Sequence, residues 1–257
     1  MKFAIAREGR EGSEIVEDEL AVEEPLQITV DGFPVAVVMR TPGHDADLVA
    51  GFLLTEGFVD SLAEVARIDL EQKENHALVF LADGVEFDRA KLSRHLFSAS
   101  SCGICGKASI ESIRQHHEPV GEGFQLARTA LLTFPDKLRA AQQAFARTGG
   151  IHAAGLFDGE GQLLVLREDV GRHNAIDKVI GWAADEGVAL AETVLQVSGR
   201  VSFEVMQKAL AAGIPVVAAI SAPSSLAVEF ARESGQTLIG FLRPPTFNVY
   251  AGGERLS

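Results

Sequence analysis

Cys102 and Cys105, in "SSCGICGK", are the only two cysteines among the 257 residues. A cysteine is a nucleophile only as its thiolate, and a nearby cation or helix N-terminus lowers its pKa. Lys107 is two residues on, and "KASIESIRQHHE" predicts a short helix starting just after Cys105. Gly103 and Gly106 leave the backbone mobile and the sulfurs open to a bulky partner. Three chemistries fit the pair. A structural zinc needs four ligands, and only His116-His117 lie nearby, as adjacent side chains that point apart. A thioredoxin-like redox pair follows the first strand of a βαβ unit, whereas this one sits between glycines in a connector. A persulfide carrier needs an exposed, mobile thiol beside an acceptor pocket. The residues alone leave all three open.

A second group of reactive side chains recurs at the ends of strands. After "QLLVLRE" come Asp169, Arg172, His173 and Asn174. After "TVLQVS" come Gly199, Arg200 and Ser202, after "PVVAAIS" comes "APSS", and after "TLIGFL" comes Arg243. In an open α/β sheet, ligands bind outside the carboxyl ends of the strands. Three of these clusters open a helix, whose free N–H groups favour an anion, and arginine suits bidentate phosphate contact. Each turn alone has an ordinary structural explanation, since Ser and Asn cap helices and Gly makes turns. Four at one sheet edge predict a locally cationic crevice for a phosphorylated or nucleotide-like ligand.

The elements that must position these groups follow from periodicity. "PLQITVDGFPVAVVMRT" predicts a hairpin about Asp31-Gly32. "TPGHDADLVAGFLLTEG" predicts a helix with Leu48, Val49, Phe52 and Leu53 on one face and Gly57 at its end. "EVARIDLEQKENHALVFLADG" predicts two more strands. Residues 21–97 therefore read as a small α+β domain, preceded by a loosely held polar arm at 1–20 and followed by a CxxC-bearing connector at 98–125. Residues 126–257 read as an α/β domain with a mostly parallel sheet. It opens with a helix over "TFPDKLRAAQQAFARTGG", capped by Thr133 and ended by Gly149-Gly150. A hairpin of "IHAAGLFD" and "QLLVLRE" and alternating helices and strands complete it.

The net charge of −13 weighs against a nucleic-acid footprint, which needs lysine and arginine. No apolar run reaches the roughly 18 residues of a membrane span, and "MKFAIAREGREGSE" lacks a secretory h-region. The expected location is the cytoplasm, where thiols stay reduced. There is no GxGxxG, Walker or GxSxG motif, so NAD is not expected as cofactor, and without four well-placed ligands in one chain neither is a structural zinc.

Read together, "SSCGICGK", "TGGIHAAGLFD", "REDVGRHNAIDKVIG", "SGRVSFE", "KALAAGIPVVAAISAPSSLAV" and "TLIGFLR" with "FNVY" resemble the formate dehydrogenase accessory sulfurtransferase family, FdhD. The resemblance implies a cytidine-deaminase-like C-terminal domain, a mixed sheet with flanking helices, and a cytoplasmic homodimer. It implies a sulfurtransferase that takes persulfide sulfur from a cysteine desulfurase. The sulfur passes to the molybdenum of the bis-molybdopterin guanine dinucleotide cofactor, required by formate dehydrogenase. Cys102 matches the family's persulfide-bearing position and Cys105 the second cysteine. Phe241, Leu242, Arg243, Pro244, Pro245 and Thr246 fall where the family binds that cofactor, and Pro244-Pro245 stand where the usual pattern has glycine or basic residues. Arg172, Arg200 and Arg243 are the expected phosphate anchors. His173 is expected at the pterin or guanine, or as a helix cap.

Deaminase chemistry does not travel with the fold. A zinc deaminase needs H-x-E followed by P-C-x-x-C. Here Ala154 takes the glutamate's place and the cysteines precede the histidine. His152 is expected to line the site or serve the structure. The opposed reading is a non-catalytic cofactor chaperone, its cysteines used for docking or for zinc shared across a dimer.

Overall fold

Asp31 and Gly32 take φ values of 45° and 82°, the left-handed pair that a two-residue hairpin turn requires. They join β3 (Glu24–Val30) to β4 (Phe33–Arg40). β5 (Val65–Asp69) and β6 (His76–Leu81) complete a four-stranded sheet, ordered β4-β3-β6-β5. α1 (Asp45–Thr55) lies on it and buries Leu48, Val49, Phe52 and Leu53 against Leu26, Ile28, Val30, Ala77 and Val79. Gly57 follows the helix at φ 70°.

The computed structural model describes residues 1–10, 12–87 and 118–257. Cys102, Cys105, His116, His117, the helix expected after Cys105 and most of the expected connector lie outside these residues. Residues 118–125 hold no helix or strand.

The expected polar arm is instead a hairpin. β1 (Lys2–Gly9) pairs antiparallel with β2 (Gly12–Glu19) along its whole length. Its base is closed by the Met1 ammonium donating to the Leu20 carbonyl and by Leu20 N–H donating back to Met1. Phe3 and Ile5, two residues apart, share a face with Val16, which pairs with Ile5; the acidic composition concealed this short apolar strip. The Arg147–Glu19 ion pair at 2.9 Å ties β2 to the body.

The larger sheet has six strands, ordered β12-β11-β10-β9-β7-β8. These are β7 (His152–Asp158), β8 (Leu163–Asp169), β9 (Thr193–Val197), β10 (Val216–Ala219), β11 (Thr237–Arg243) and β12 (Thr246–Ala251). Only β9, β10 and β11 pair in parallel. Hairpin connections make β8 and β12 antiparallel to their neighbours, and β7 is antiparallel to β9. The sheet is therefore mixed rather than mostly parallel. β8 still runs in the direction of β9, so the carboxyl ends of β8, β9, β10 and β11 share one edge.

α5 (Arg172–Asp185), α6 (Phe203–Ala211) and α7 (Ser225–Glu233) supply the core on one face of the sheet, where Ile176, Val179, Ile180 and Ala183 meet Leu195, Val197 and Val217. The other face packs Phe134, Leu138 and Phe157 with Val194, Val216 and Ile239. The Phe134 and Phe157 rings stack at 4.0 Å. The single helix expected over 133–150 is two, α3 (Phe134–Ala141) and α4 (Gln143–Thr148), preceded by the one-turn α2 (Arg128–Leu131). The break falls at Gln142 (ψ 87°). There the Glu168 carboxylate accepts from the N–H groups of Ala144 and Phe145 at 2.7 and 2.8 Å, capping α4 from β8. Thr133 does not cap with its side chain; its hydroxyl donates to Ala130 O. Gly149 ends α4 at φ 65°, as expected.

α1 crosses α5 at two glycines. A Cβ on Gly51 would lie 1.8 Å from the Asp177 carbonyl oxygen, and one on Gly181 1.9 Å from that of Asp47. Gly181→Ala should therefore destabilise the protein by about 1–3 kcal/mol or more, because the obstacle is backbone that cannot turn aside. A urea midpoint unchanged from wild type would contradict this contact.

Candidate functional site

The edge formed by the ends of β8, β9, β10 and β11 carries every cluster singled out in the sequence, but the side chains there do different jobs. Asp169 is fully buried. Its carboxylate accepts from Thr41 N–H (3.0 Å), Gly171 N–H (2.8 Å) and Asn174 Nδ2 (2.9 Å), and pairs with Lys178 Nζ at 2.7 Å. Asn174 also donates to Met39 O, and Lys178 to Thr41 O. Asp169 and Asn174 thus fasten α5 to the end of β4 and are spent on structure.

Arg172 follows immediately, as the first residue of α5. Its Nε is buried and has no hydrogen-bond partner among the described residues, a costly state for a charged donor unless a ligand completes it. Its side chain passes Gly199, which also borders the His152 ring. Burial and the Arg172 charge hold His152 below its ordinary pKa, against the pull of Asp169. Arg200 is exposed at the turn after β9. Arg243 is exposed at the end of β11, where its Nε donates to Ile220 O at 3.1 Å and its guanidinium sits 5.9 Å from the Phe241 ring centre. Arg172, Arg200 and Arg243 thus each stand at the end of a strand on this one edge of the sheet.

The 241–246 segment is the end of β11, a turn at Pro244-Pro245, and the start of β12, with Arg243 paired to Thr246. Phe241, Arg243, Pro244, Pro245 and Thr246 are exposed. Leu242 is fully buried in the core, so its side chain is not available to a ligand. His173 is also otherwise engaged. Its Nδ1 lies 3.2 Å from Glu204 Oε1 and its Nε2 3.4 Å from Ser202 Oγ. It does not reach out of the crevice as a cofactor contact would.

Beside this edge, on the face packed by α3 and α4, lies a cavity of about 670 Å³. Arg139, Phe145, Gly149, His152, Ser198 and Ile220 are among its lining residues. The Arg139 guanidinium sits 4.3 Å from the Phe145 ring centre. The sequence pattern placed only His152 here. Arg139 and Phe145 sit on what reads as one amphipathic helix, and only the break at Gln142 brings α4 round to form a wall. Among the described residues no group of three or more His, Cys, Asp or Glu is placed to hold a metal, and no helix is long and apolar enough to cross a membrane.

This geometry can be set against known proteins. Residues 21–257 match the model of the FdhD/NarQ family. The chain belongs to that family. A protein of Mycobacterium tuberculosis named sulfur carrier protein FdhD is 50% identical over 252 residues, spanning 93% of this chain and 91% of its own. Proteins of the same name from Streptomyces avermitilis and Sulfolobus acidocaldarius are 49% and 41% identical. They span 93% and 100% of this chain, and 89% and 97% of their own. The fold is that of a crystal structure from Desulfotalea psychrophila, described as of a candidate formate dehydrogenase accessory protein. The TM-score is 0.81 at 24% identity, over 100% of this chain and 99% of that one. The α/β architecture expected from the sequence is thus shared with a solved protein.

Burial, together with the charges of Arg172 and Lys208, lowers the pKa of His173 from 6.5 to about 3. Between these values the unfolded chain binds a proton that the folded chain refuses, so this contribution is present above pH 6.5 and is lost as the pH falls toward 3. Asp177 acts in the opposite sense. Burial raises its carboxyl from 3.8 to about 6, so the folded chain gains as the pH falls through that interval. Comparison with His173→Gln isolates the histidine. The stability difference, wild type minus variant, should be larger at about pH 7 than at about pH 4, by up to ~1.4 kcal/mol per pH unit. Urea unfolding at the two pH values measures it, and a constant difference would refute the assignment.

Proposed function

We propose that this protein is a sulfur carrier that delivers persulfide sulfur to a guanine-dinucleotide molybdenum cofactor for the maturation of formate dehydrogenase. The observation that carries the reading is the 50% identity, across 93% of the chain, to a protein named as a sulfur carrier. Membership of the FdhD/NarQ family supports it.

The chemistry falls to the CxxC pair. The Cys102 thiolate attacks the outer sulfur of a cysteine desulfurase's persulfide, and the donor's thiolate leaves. Once the acceptor is in place, the Cys105 thiolate can attack the Cys102 sulfur. This closes a disulfide and frees the outer sulfur at the oxidation level of sulfide, ready for the molybdenum. The cofactor is the acceptor substrate. Its phosphates are held by Arg172, Arg200 and Arg243, of which Arg172 has a buried Nε still to be satisfied. The adjoining cavity of about 670 Å³ offers Phe145 and Arg139 to a flat base. Leu242 serves this site indirectly, by packing in the core beneath it.

Incubation with a cysteine desulfurase and cysteine should add about 32 Da, one sulfur atom, reversibly to reductant, to the wild-type chain and not to Cys102→Ala. Stoichiometric zinc with no mass gain would overturn the carrier in favour of the chaperone. Arg172→Ala should weaken binding of a guanosine diphosphate probe by about 10-fold or more, the loss of a charge-assisted hydrogen bond. Unchanged affinity by calorimetry would remove Arg172 from the site.

A further inference from the structure

Ser202, His173 and Glu204 lie in an order that neither sulfur transfer nor cofactor binding requires. Glu204 Oε1 is 3.2 Å from His173 Nδ1, and His173 Nε2 is 3.4 Å from Ser202 Oγ. The histidine and glutamate side chains are 8% and 7% exposed, whereas Ser202 is partly open. Held neutral by its surroundings, His173 has one N–H and one lone pair. The carboxylate takes the N–H at Nδ1, which turns the Nε2 lone pair toward the serine hydroxyl. That is the arrangement by which an oriented imidazole activates a nucleophile.

The backbone around Ser202 fits the same role. Ser202 is the N-cap of α6, yet its hydroxyl makes no capping bond to the helix. A serine at an N-cap ordinarily accepts from the first-turn N–H groups. Here the hydroxyl is turned to the histidine instead. The uncapped N–H groups of a nine-residue helix stand beside it, where they can stabilise a developing oxyanion.

We propose that Ser202, His173 and Glu204 form a nucleophile, base and positioning residue, giving the crevice a second reactive centre directed at carboxylic esters. The step balances without a redox partner. Ser202 Oγ attacks the ester carbonyl carbon as its proton passes to His173 Nε2. The C–O bond to the alcohol then breaks, and the alcohol leaves with that proton. Water, deprotonated by the same nitrogen, releases the acid from Ser202. Glu204 touches no substrate; it fixes the ring and balances the imidazolium.

A fluorophosphonate tests the centre directly, because attack forms a stable O–P bond as fluoride leaves. The full-length protein should gain one phosphonyl adduct by intact mass, mapped by peptide digestion to Ser202 and absent from Ser202→Ala. His173→Gln should slow the labelling by about 10²-fold, the ordinary contribution of a general base. Glu204→Gln should slow it as well, and Glu204→Asp should recover part of that loss, which a merely structural glutamate would not do. Circular dichroism establishes that each variant is folded. If His173→Gln does not fold, the Glu204 pair decides. No adduct on the folded wild-type chain, an adduct that persists in Ser202→Ala, or equal labelling rates in the folded His173 and Glu204 variants would overturn the proposal. The assay involves neither cysteine, so its failure leaves the sulfur-carrier reading untouched.

Discussion

Two helices touching through glycine backbone set the geometry of this protein. At the crossing of α1 and α5 neither Gly51 nor Gly181 has room for a methyl group. The surrounding buried charges can be tolerated only because the helices come that close. Lys208 reaches Thr55, Glu56 and Asp177 at 2.9 to 3.0 Å. Burial pulls its ammonium toward the neutral form, but Asp177, Glu56 and Glu204 together hold it protonated, above its ordinary pKa. Charges buried this deeply are stabilising only in good geometry, and losing one partner is costly. A wider crossing would leave these groups short of one another.

That fixed crossing determines where α5 begins, and α5 begins at the edge that carries Arg172. The strand directions do the rest. β8 is reached by a hairpin from β7, yet it runs with the parallel strands, so its end joins theirs. An acidic chain thereby gathers Arg172, Arg200 and Arg243 on one rim. A cationic rim of this kind concentrates anions locally whatever the overall sign of the protein.

Much of this was legible in the residues. Periodicity and turn chemistry placed the Asp31-Gly32 hairpin, α1, α5 and the strand–helix alternation, because each rests on local rules. The edge clusters were legible because strand ends are where such sheets bind ligands. Other features depend on contacts distant in sequence. The break at Gln142 is set by Glu168, which caps α4 from another strand. The roles of Asp169 and Asn174 depend on Thr41 and Met39, more than a hundred residues away. His173 read as a ligand contact or a helix cap because nothing local announces that Glu204 and Ser202 will lie against its two nitrogens. The first hairpin was hidden by acidic composition, which left only Phe3, Ile5 and Val16 to mark its apolar face.

Asp169 has one further consequence. A single carboxylate holds Thr41, at the tip of the smaller sheet, and also Gly171, which leads into Arg172. The tip of the smaller sheet and the start of α5 therefore cannot move apart without stripping a bond from a buried carboxylate, which is costly away from water.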